Sequence, residues 1–121
     1  MSNIAPDVRS EAPRSDDRGM VVRSIASQLS FGHGSRSGIG TTAVQITSTS
    51  VATRKGVLVK AGNSNLGVVF IGNSGVTAGT VDATDGFELD AGESVIIEID
   101  NVNKLFVIGS AVGQRVFWVA I

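Results

Sequence analysis

The chain has 121 residues, with ten basic and eleven acidic side chains and a formal net charge of −1 at pH 7. This length suits one domain, the balanced charge excludes strong steering of the whole molecule towards nucleic acid, and the lack of cysteine excludes a small disulfide-framed fold. No basic start leads into an apolar run and no apolar run is long enough to span a bilayer, so we expect a soluble protein made in the cytoplasm.

Residues 1–19 differ in composition from the rest of the chain. They contain both prolines, three basic and four acidic side chains and few large apolar residues, so they bury too little surface to fold alone. Two interpretations stay open: a terminal tail, or an extended arm that becomes ordered on a partner surface through apolar anchors and arginine–carboxylate pairs. The residues assigned to that contact are Ile4, Pro6, Val8, Arg9, Pro13, Arg14 and Arg18.

Residues 20–29 predict a first strand through an imperfect alternation of apolar and polar side chains. The glycine-rich run that follows, residues 31–40, is interpreted as a loop. Such loops can cradle phosphate with backbone N–H groups, but the spacing of its glycines fits no nucleotide fingerprint and no Lys-Ser or Lys-Thr pair follows.

The middle of the chain alternates between strand and turn signals. Segments rich in Val, Ile and Thr predict strands, and two Gly-Asn-Ser triplets predict turns, because Gly and Asn accept positive φ. The predicted strands are residues 41–49, 57–61, 66–71 and, more weakly, 76–81.

Residues 82–90 combine carboxylates with a glycine, which raises the alternative of a calcium loop. The twelve-residue calcium loop needs oxygen ligands at alternating positions before its glycine and a glutamate at its end, and this run has neither. We interpret its carboxylates as solvated side chains of a turn. In the strand that follows, Phe87 and Leu89 are predicted to point inward.

The strongest strand pattern lies in the last third of the chain. Val95, Ile97 and Ile99 occupy one face of a strand and alternate with polar residues that face water. A turn at residues 100–103 separates it from a second strand, residues 104–108, that is apolar on both faces. One half-buried and one fully buried strand indicate two layers with a shared core.

The final strand, residues 114–121, ends on apolar side chains, which predicts a position inside a sheet. Phe117 and Trp118 point to opposite faces, so one is assigned to the core and the other to the second layer or to a neighbouring subunit. About eight short strands, roughly ten residues apart, predict an all-β fold, an antiparallel jelly-roll-like β-sandwich. We place the sandwich at residues 20–121 and the extended arm at residues 1–19.

No combination of residues predicts catalysis. His33, the only histidine, could join a serine and an aspartate in a nucleophilic triad, but no strained elbow motif surrounds a serine. Two carboxylate pairs, Glu88 with Glu98 and Asp85 with Asp90, match a glycosidase by composition alone. With one histidine and no cysteine, no transition-metal site is predicted either. We therefore expect neither an enzyme nor a cofactor.

A carbohydrate-binding module is a separate alternative. Sugar platforms present flat aromatic faces, and the chain has no Tyr and a single Trp. Trp118 would have to be that platform, whereas its apolar neighbours favour a core position. Contact with other proteins is then the function class that remains.

Residues 86–110, GFELDAGESVIIEIDNVNKLFVIGS, resemble a pattern in virion proteins of tailed bacteriophages, where such a stretch closes a small β-sandwich. Upstream, the segments GVLVKA and VFIGN between Gly56 and Asn73 are similar to a hairpin of the same group. Together the two matches cover about half of the chain, and the motif marks a fold more than an activity.

This resemblance implies a capsid decoration, or cement, protein: a homotrimer or homodimer that binds the major capsid protein on the outer capsid surface and ties neighbouring capsomers together. A tail, head-fibre or adaptor module of the same fold, binding another virion protein or a host-surface glycan, stays open. An extended arm suits either role, since it can add a strand to a capsid edge. Neither nucleic acid nor a membrane is an expected partner, and synthesis is expected in the cytoplasm of the bacterial host.

An oligomer could use apolar side chains left over on strands with two apolar faces, with filling of the core within one chain as the alternative. The candidates for this interface are Phe106, Ile108, Phe117 and Trp118.

Overall fold

The structure is a computed structural model that describes residues 31–121. The predicted arm, its seven assigned contact residues (Ile4, Pro6, Val8, Arg9, Pro13, Arg14 and Arg18) and the strand predicted at residues 20–29 lie outside the described residues. The described part contains eight strands and a single 3-10 turn, Val102–Lys104, between the sixth and seventh strands. The strands are β1 (His33–Ile39), β2 (Val44–Gln45), β3 (Val57–Ala61), β4 (Val69–Gly72), β5 (Phe87–Leu89), β6 (Ser94–Ile97), β7 (Phe106–Gly109) and β8 (Gln114–Ala120).

These strands form two four-stranded sheets in which every neighbouring pair is antiparallel. The first sheet has the order β1-β8-β3-β6 and the second has the order β2-β7-β4-β5. Successive strands cross between the sheets and return beside earlier ones, which is the double Greek-key arrangement of a jelly roll. The predicted all-β, jelly-roll-like sandwich of about eight strands is confirmed.

The core lies between the two sheets and is built from alternating positions of their strands. In β8, buried residues alternate with exposed or half-buried ones along its length, as the two-residue period of a strand requires. Trp118 is 6% exposed and packs in the core, while Phe117 points outward and is 41% exposed, so the prediction that they face opposite ways is confirmed. The inward side chains of β3, β4, β7 and β8 include Val57, Val59, Ala61, Val69, Ile71, Val107 and Val116.

The prediction that residues 31–40 form a loop is wrong, because His33–Ile39 form β1, which pairs with β8 and has no other neighbour among the described strands. Packing on the inner face of this segment explains two of its glycines, Gly32 and Gly34. A Cβ added at Gly34 would lie 2.7 Å from Cζ2 of Trp118, and one at Gly32 would lie 2.7 Å from Cγ1 of Val51. The indole ring therefore occupies the space that side chains of β1 would otherwise fill.

The connection between β4 and β5, residues 73–86, folds over the outer face of the second sheet, and we call it the cover loop. Its Val76 is 4% exposed and forms a second buried cluster with Phe70 and Ile108. The partly buried side chain of Phe106 packs against this cluster. The weak strand predicted at residues 76–81 does not form, and only one isolated bridge, Thr77 with Asp85, occurs there.

One carboxylate organises the cover loop. Oδ1 of Asp85 accepts a hydrogen bond from the Thr77 hydroxyl at 2.6 Å and from three backbone N–H groups, those of residues 79, 80 and 81, at 2.9, 3.1 and 3.2 Å. Oδ2 accepts the N–H of Asp82 at 2.9 Å. The Thr77 hydroxyl, followed by these N–H groups, lowers the pKa of Asp85 to about 2. This carboxylate is thus a structural acceptor, where the sequence predicted a solvated turn residue.

Two further segments differ from prediction at their ends. The strand predicted at residues 41–49 is limited to Val44–Gln45, and that predicted at 104–108 starts at Phe106, because Val102–Lys104 forms the 3-10 turn. Asn101 caps this turn: its Oδ1 accepts the N–H of Asn103 at 3.1 Å and that of Val51 at 3.0 Å.

Most of the side chains after the cover loop that were predicted to point inward are buried or half-buried. Val95, Ile97 and Ile99 pack against the core, and Leu89 is 2% exposed. Phe87 lies on the same face of β5 as Leu89, opposite Ile71 of the core, but it is 58% exposed and so is not buried. It begins the edge strand β5, where a neighbouring strand covers one side only.

Candidate functional site

The two sheets differ in what lies on their outer faces. The cover loop packs on the second sheet, whereas the outer face of the first sheet carries exposed and half-buried apolar side chains. None of those side chains belongs to either buried cluster of the described residues. This face is the candidate functional site.

Strand register brings its apolar side chains together. Leu58 of β3 lies opposite Ile96 of β6 on one side and Val119 of β8 on the other. Adjacent strands are about 4.8 Å apart, so these three side chains cross the sheet within about 10 Å. Phe117 follows one step along the same face of β8, and we call Leu58, Ile96, Phe117 and Val119 the apolar row. Ile96 is the most exposed member, at 56%.

One end of this face forms a cleft of about 450 Å³, which we call the basic cleft, lined chiefly by Ser37, Lys60, residues 62–65, Arg115 and Phe117. Its far wall is the turn that follows β3, and backbone hydrogen bonds hold that turn against β8. The side chain of Asn65 donates to the carbonyl of Arg115 and accepts its N–H, both at 2.9 Å, and the N–H of Gly62 donates to the same carbonyl at 2.9 Å.

The basic cleft holds two cations in defined positions. Cζ of Arg115 lies 5.6 Å from the centroid of the Phe117 ring, within the range of a cation–π contact. Nζ of Lys60 donates to Oδ1 of Asn63 at 3.3 Å. Among residues 31–121, no carboxylate oxygen lies within 4 Å of either cation. The cleft therefore presents positive charge that the described chain does not neutralise.

The groups that suggested chemistry in the sequence do not gather in one place. His33 is exposed on β1, and the oxygens of Asp85 accept hydrogen bonds within the cover loop. Across residues 31–121, no cluster of three or more His, Cys, Asp or Glu side chains could hold a metal ion.

No helix in the described part of the chain is long and apolar enough to span a membrane.

The four candidates for an oligomer interface lie in three different surroundings. Phe106 and Ile108 are under the cover loop, and Trp118 is in the core. Only Phe117 lies on the candidate face, so it alone keeps substantial surface for a partner, and the interface itself stays a prediction. The burial of Trp118 also leaves it without the exposed ring that the sugar-platform alternative required.

Sequence reasoning missed Leu58, Ile96, Lys60 and Arg115. A signal for the first two was present: Val57-Leu58-Val59 and Val95-Ile96-Ile97 are apolar at three successive positions, so each places an apolar side chain on the face opposite the core. No comparable signal marked the two cations, because only the register of β3 with β8 brings them to one cleft.

Comparison of this chain with protein-family models, with curated proteins and with solved structures gives no match. Its function is therefore inferred from its fold and its surface.

Proposed function

We propose that this chain is a virion structural protein that decorates the outer capsid surface as a homo-oligomer, a trimer or a dimer, and cements neighbouring capsomers together. The observation that carries the proposal is that the outer faces of the two sheets are covered to different extents. Residues 31–121 cover the outer face of one sheet with the cover loop and leave the apolar row on the outer face of the other.

An open apolar row favours a protein partner. Monomeric soluble proteins seldom expose contiguous apolar patches unless these serve an interaction. A stable interface buries about 800 Å² on each partner, with apolar side chains at its centre and polar ones at its rim. Leu58, Ile96, Phe117 and Val119 would form such a centre, and Lys60 and Ser94 lie beside it on the same face, one step along the strands.

Cementing requires no chemistry beyond binding. A protein that binds only the joined arrangement of capsomers stabilises it by mass action. When an oligomer holds two or three capsomers at once, weak individual contacts gain from effective concentration. The jelly-roll fold and the resemblance of residues 86–110 to phage virion proteins support this role.

The test uses empty expanded heads of the phage that encodes the chain, prepared without it, and the purified full chain. Ile96→Asp places a charge in the apolar row, while Val112→Asp places one at a 77% exposed position outside the row. Ile96→Asp is expected to lower occupancy of the heads at least tenfold at equal protein concentration, and Val112→Asp to leave it unchanged. Equal occupancy by wild type and Ile96→Asp would overturn the assignment of the apolar row.

The number of bound copies separates decoration from the tail or adaptor alternative. On the order of hundreds of copies spread over the head supports decoration, because every capsomer offers the site. About a dozen copies at one vertex, or none on the head, contradicts the proposal and favours the adaptor or fibre module.

A further inference from the structure

The basic cleft is a feature of the described residues to which the proposed function assigns no ligand. Both of its cations are held in place without a counter-ion from residues 31–121. The guanidinium of Arg115 stacks on Phe117, a contact that leaves the planar fork of N–H donors free to bind a carboxylate in bidentate fashion. Lys60 contributes a second charge from the neighbouring strand, so the cleft is suited to more than one carboxylate.

Carboxylates without a cation occur beside the basic cleft, where Ser94 of β6 pairs with Lys60 of β3 and the N–H of Ala61 donates to the carbonyl of Glu93 at 2.9 Å. The edge strands β5 and β6 meet there around a shallow depression lined by Phe87, Glu88, Leu89, Gly92, Glu93 and Ser94. Glu88 and Glu93 are exposed, and no cation of the described residues lies within 4 Å of either. We call Phe87, Glu88 and Glu93 the acidic edge.

The two surfaces complement each other in charge and in side-chain type. Each combines two like charges with one exposed aromatic ring: Lys60, Arg115 and Phe117 in the cleft, and Glu88, Glu93 and Phe87 at the edge. Two positive charges in the cleft therefore match two negative charges at the edge in number.

We propose that the basic cleft of one copy binds the acidic edge of a second copy. The carboxylates of Glu88 and Glu93 then pair with Lys60 and Arg115, and Phe87 lies against Phe117 at the side of the cleft. Because the two surfaces adjoin on one copy, a two-fold contact pairs the cleft of each copy with the edge of the other, which is an isologous interface. This contact rests on the proposed homo-oligomer and names the surfaces that form it.

The test is a charge swap in the full chain. One variant reverses the cleft (Lys60→Glu with Arg115→Glu), a second reverses the edge (Glu88→Lys with Glu93→Lys), and a third combines all four changes. A matched control, Lys55→Glu with Glu98→Lys, alters exposed charges outside both surfaces. Far-UV circular dichroism checks that each variant folds, and sedimentation velocity over a range of concentrations gives the association constant.

The wild type is expected to self-associate, and more weakly at high salt, because rim charges are screened. Each one-sided reversal is expected to weaken association at least tenfold, the combined variant to recover it to within about threefold, and the control to match wild type. One-sided variants that associate as tightly as wild type, or a combined variant that stays dissociated, would overturn the pairing.

Two other occupants are outcomes of the same test. A wild type that stays monomeric while its cleft binds oligogalacturonate would overturn the proposal in favour of an acidic glycan, and one that binds a poly-glutamate peptide instead would favour another acidic protein. None of these measurements involves heads. Self-association without head binding therefore contradicts only the proposed function, and head binding by a chain that lacks this contact contradicts only the pairing.

Discussion

Replacing Gly34 by alanine tests whether β1 is a packed strand. A Cβ at this position would lie 2.7 Å from Cζ2, 2.9 Å from Cε2 and 3.1 Å from Nε1 of Trp118, whereas carbon atoms in contact prefer about 3.5–4.0 Å. The indole is 6% exposed, in the core, so the ring or the strand has to move. Overpacking of this kind costs about 1–3 kcal/mol.

A second effect has the opposite sign. Alanine restricts the unfolded chain more than glycine does, which stabilises the folded state by about 0.4–1 kcal/mol where the backbone conformation allows it. The midpoints of the two ranges, about 2 and about 0.7 kcal/mol, predict a net destabilisation of about 1.3 kcal/mol for Gly34→Ala. If residues 31–40 were a flexible loop, only the entropic effect would remain and the variant would be more stable than wild type.

The measurement is urea unfolding followed by the fluorescence of Trp118, which is the only tryptophan of the chain. A lower midpoint at unchanged slope reports a loss of stability. Ser35→Ala is the control, because Ser35 is the next residue of β1 and is exposed, so it should stay within about 0.5 kcal/mol of wild type. In a Trp118→Phe background, followed by circular dichroism, the cost of Gly34→Ala should shrink. A Gly34→Ala variant as stable as wild type would refute the packing of glycine against indole.

Two further predictions concern buried or organised polar groups. The pKa of Asp85 is lowered from 3.8 to about 2, so its ionised carboxylate stabilises the cover loop fully above pH 3.8, and that stabilisation is lost as the pH falls through about 2. Amide NMR shifts of residues 79–82 should titrate with a midpoint near 2, and a midpoint near 3.8 would contradict the hydrogen bonds assigned to this carboxylate. Gln114, 2% exposed, accepts the N–H of Gly67 at 3.0 Å and donates to the carbonyl of Val112 at 2.8 Å. Gln114→Met should therefore lower the free energy of unfolding by about 1–3 kcal/mol in the same urea assay, and an unchanged value would show that these backbone groups find other partners.

The strands that the sequence predicts best are those whose own side chains build the core. β3 and, after Gln114, β8 have apolar residues at every second position, and those positions are buried in the structure. β1 lacks this pattern, because the space on its inner face is filled by Trp118 from another strand. A propensity argument reads glycine in β1 as flexibility, although at Gly34 the ring of Trp118, distant in sequence, leaves no room for a side chain.

The cover loop was mispredicted for a related reason. Val76 and Ala78 resemble the inward positions of a strand, and both do pack on an apolar surface. The segment is a loop because Asp85 accepts the N–H groups that strand pairing would otherwise use. The short-range pattern of residues 76–81 therefore predicted a strand where the backbone forms a loop.

A general property of strands with continuous apolar runs explains why the candidate face carries apolar side chains. Such a run indicates that both faces of the strand are covered. In β4, where Val69, Phe70 and Ile71 are all buried, the core covers one face and the cover loop the other. In β3 and β6 the core covers one face, and the outward Leu58 and Ile96 have no equivalent loop among the described residues. Residues 31–121 thus protect the outer face of one sheet with their own loop and leave apolar side chains on the outer face of the other.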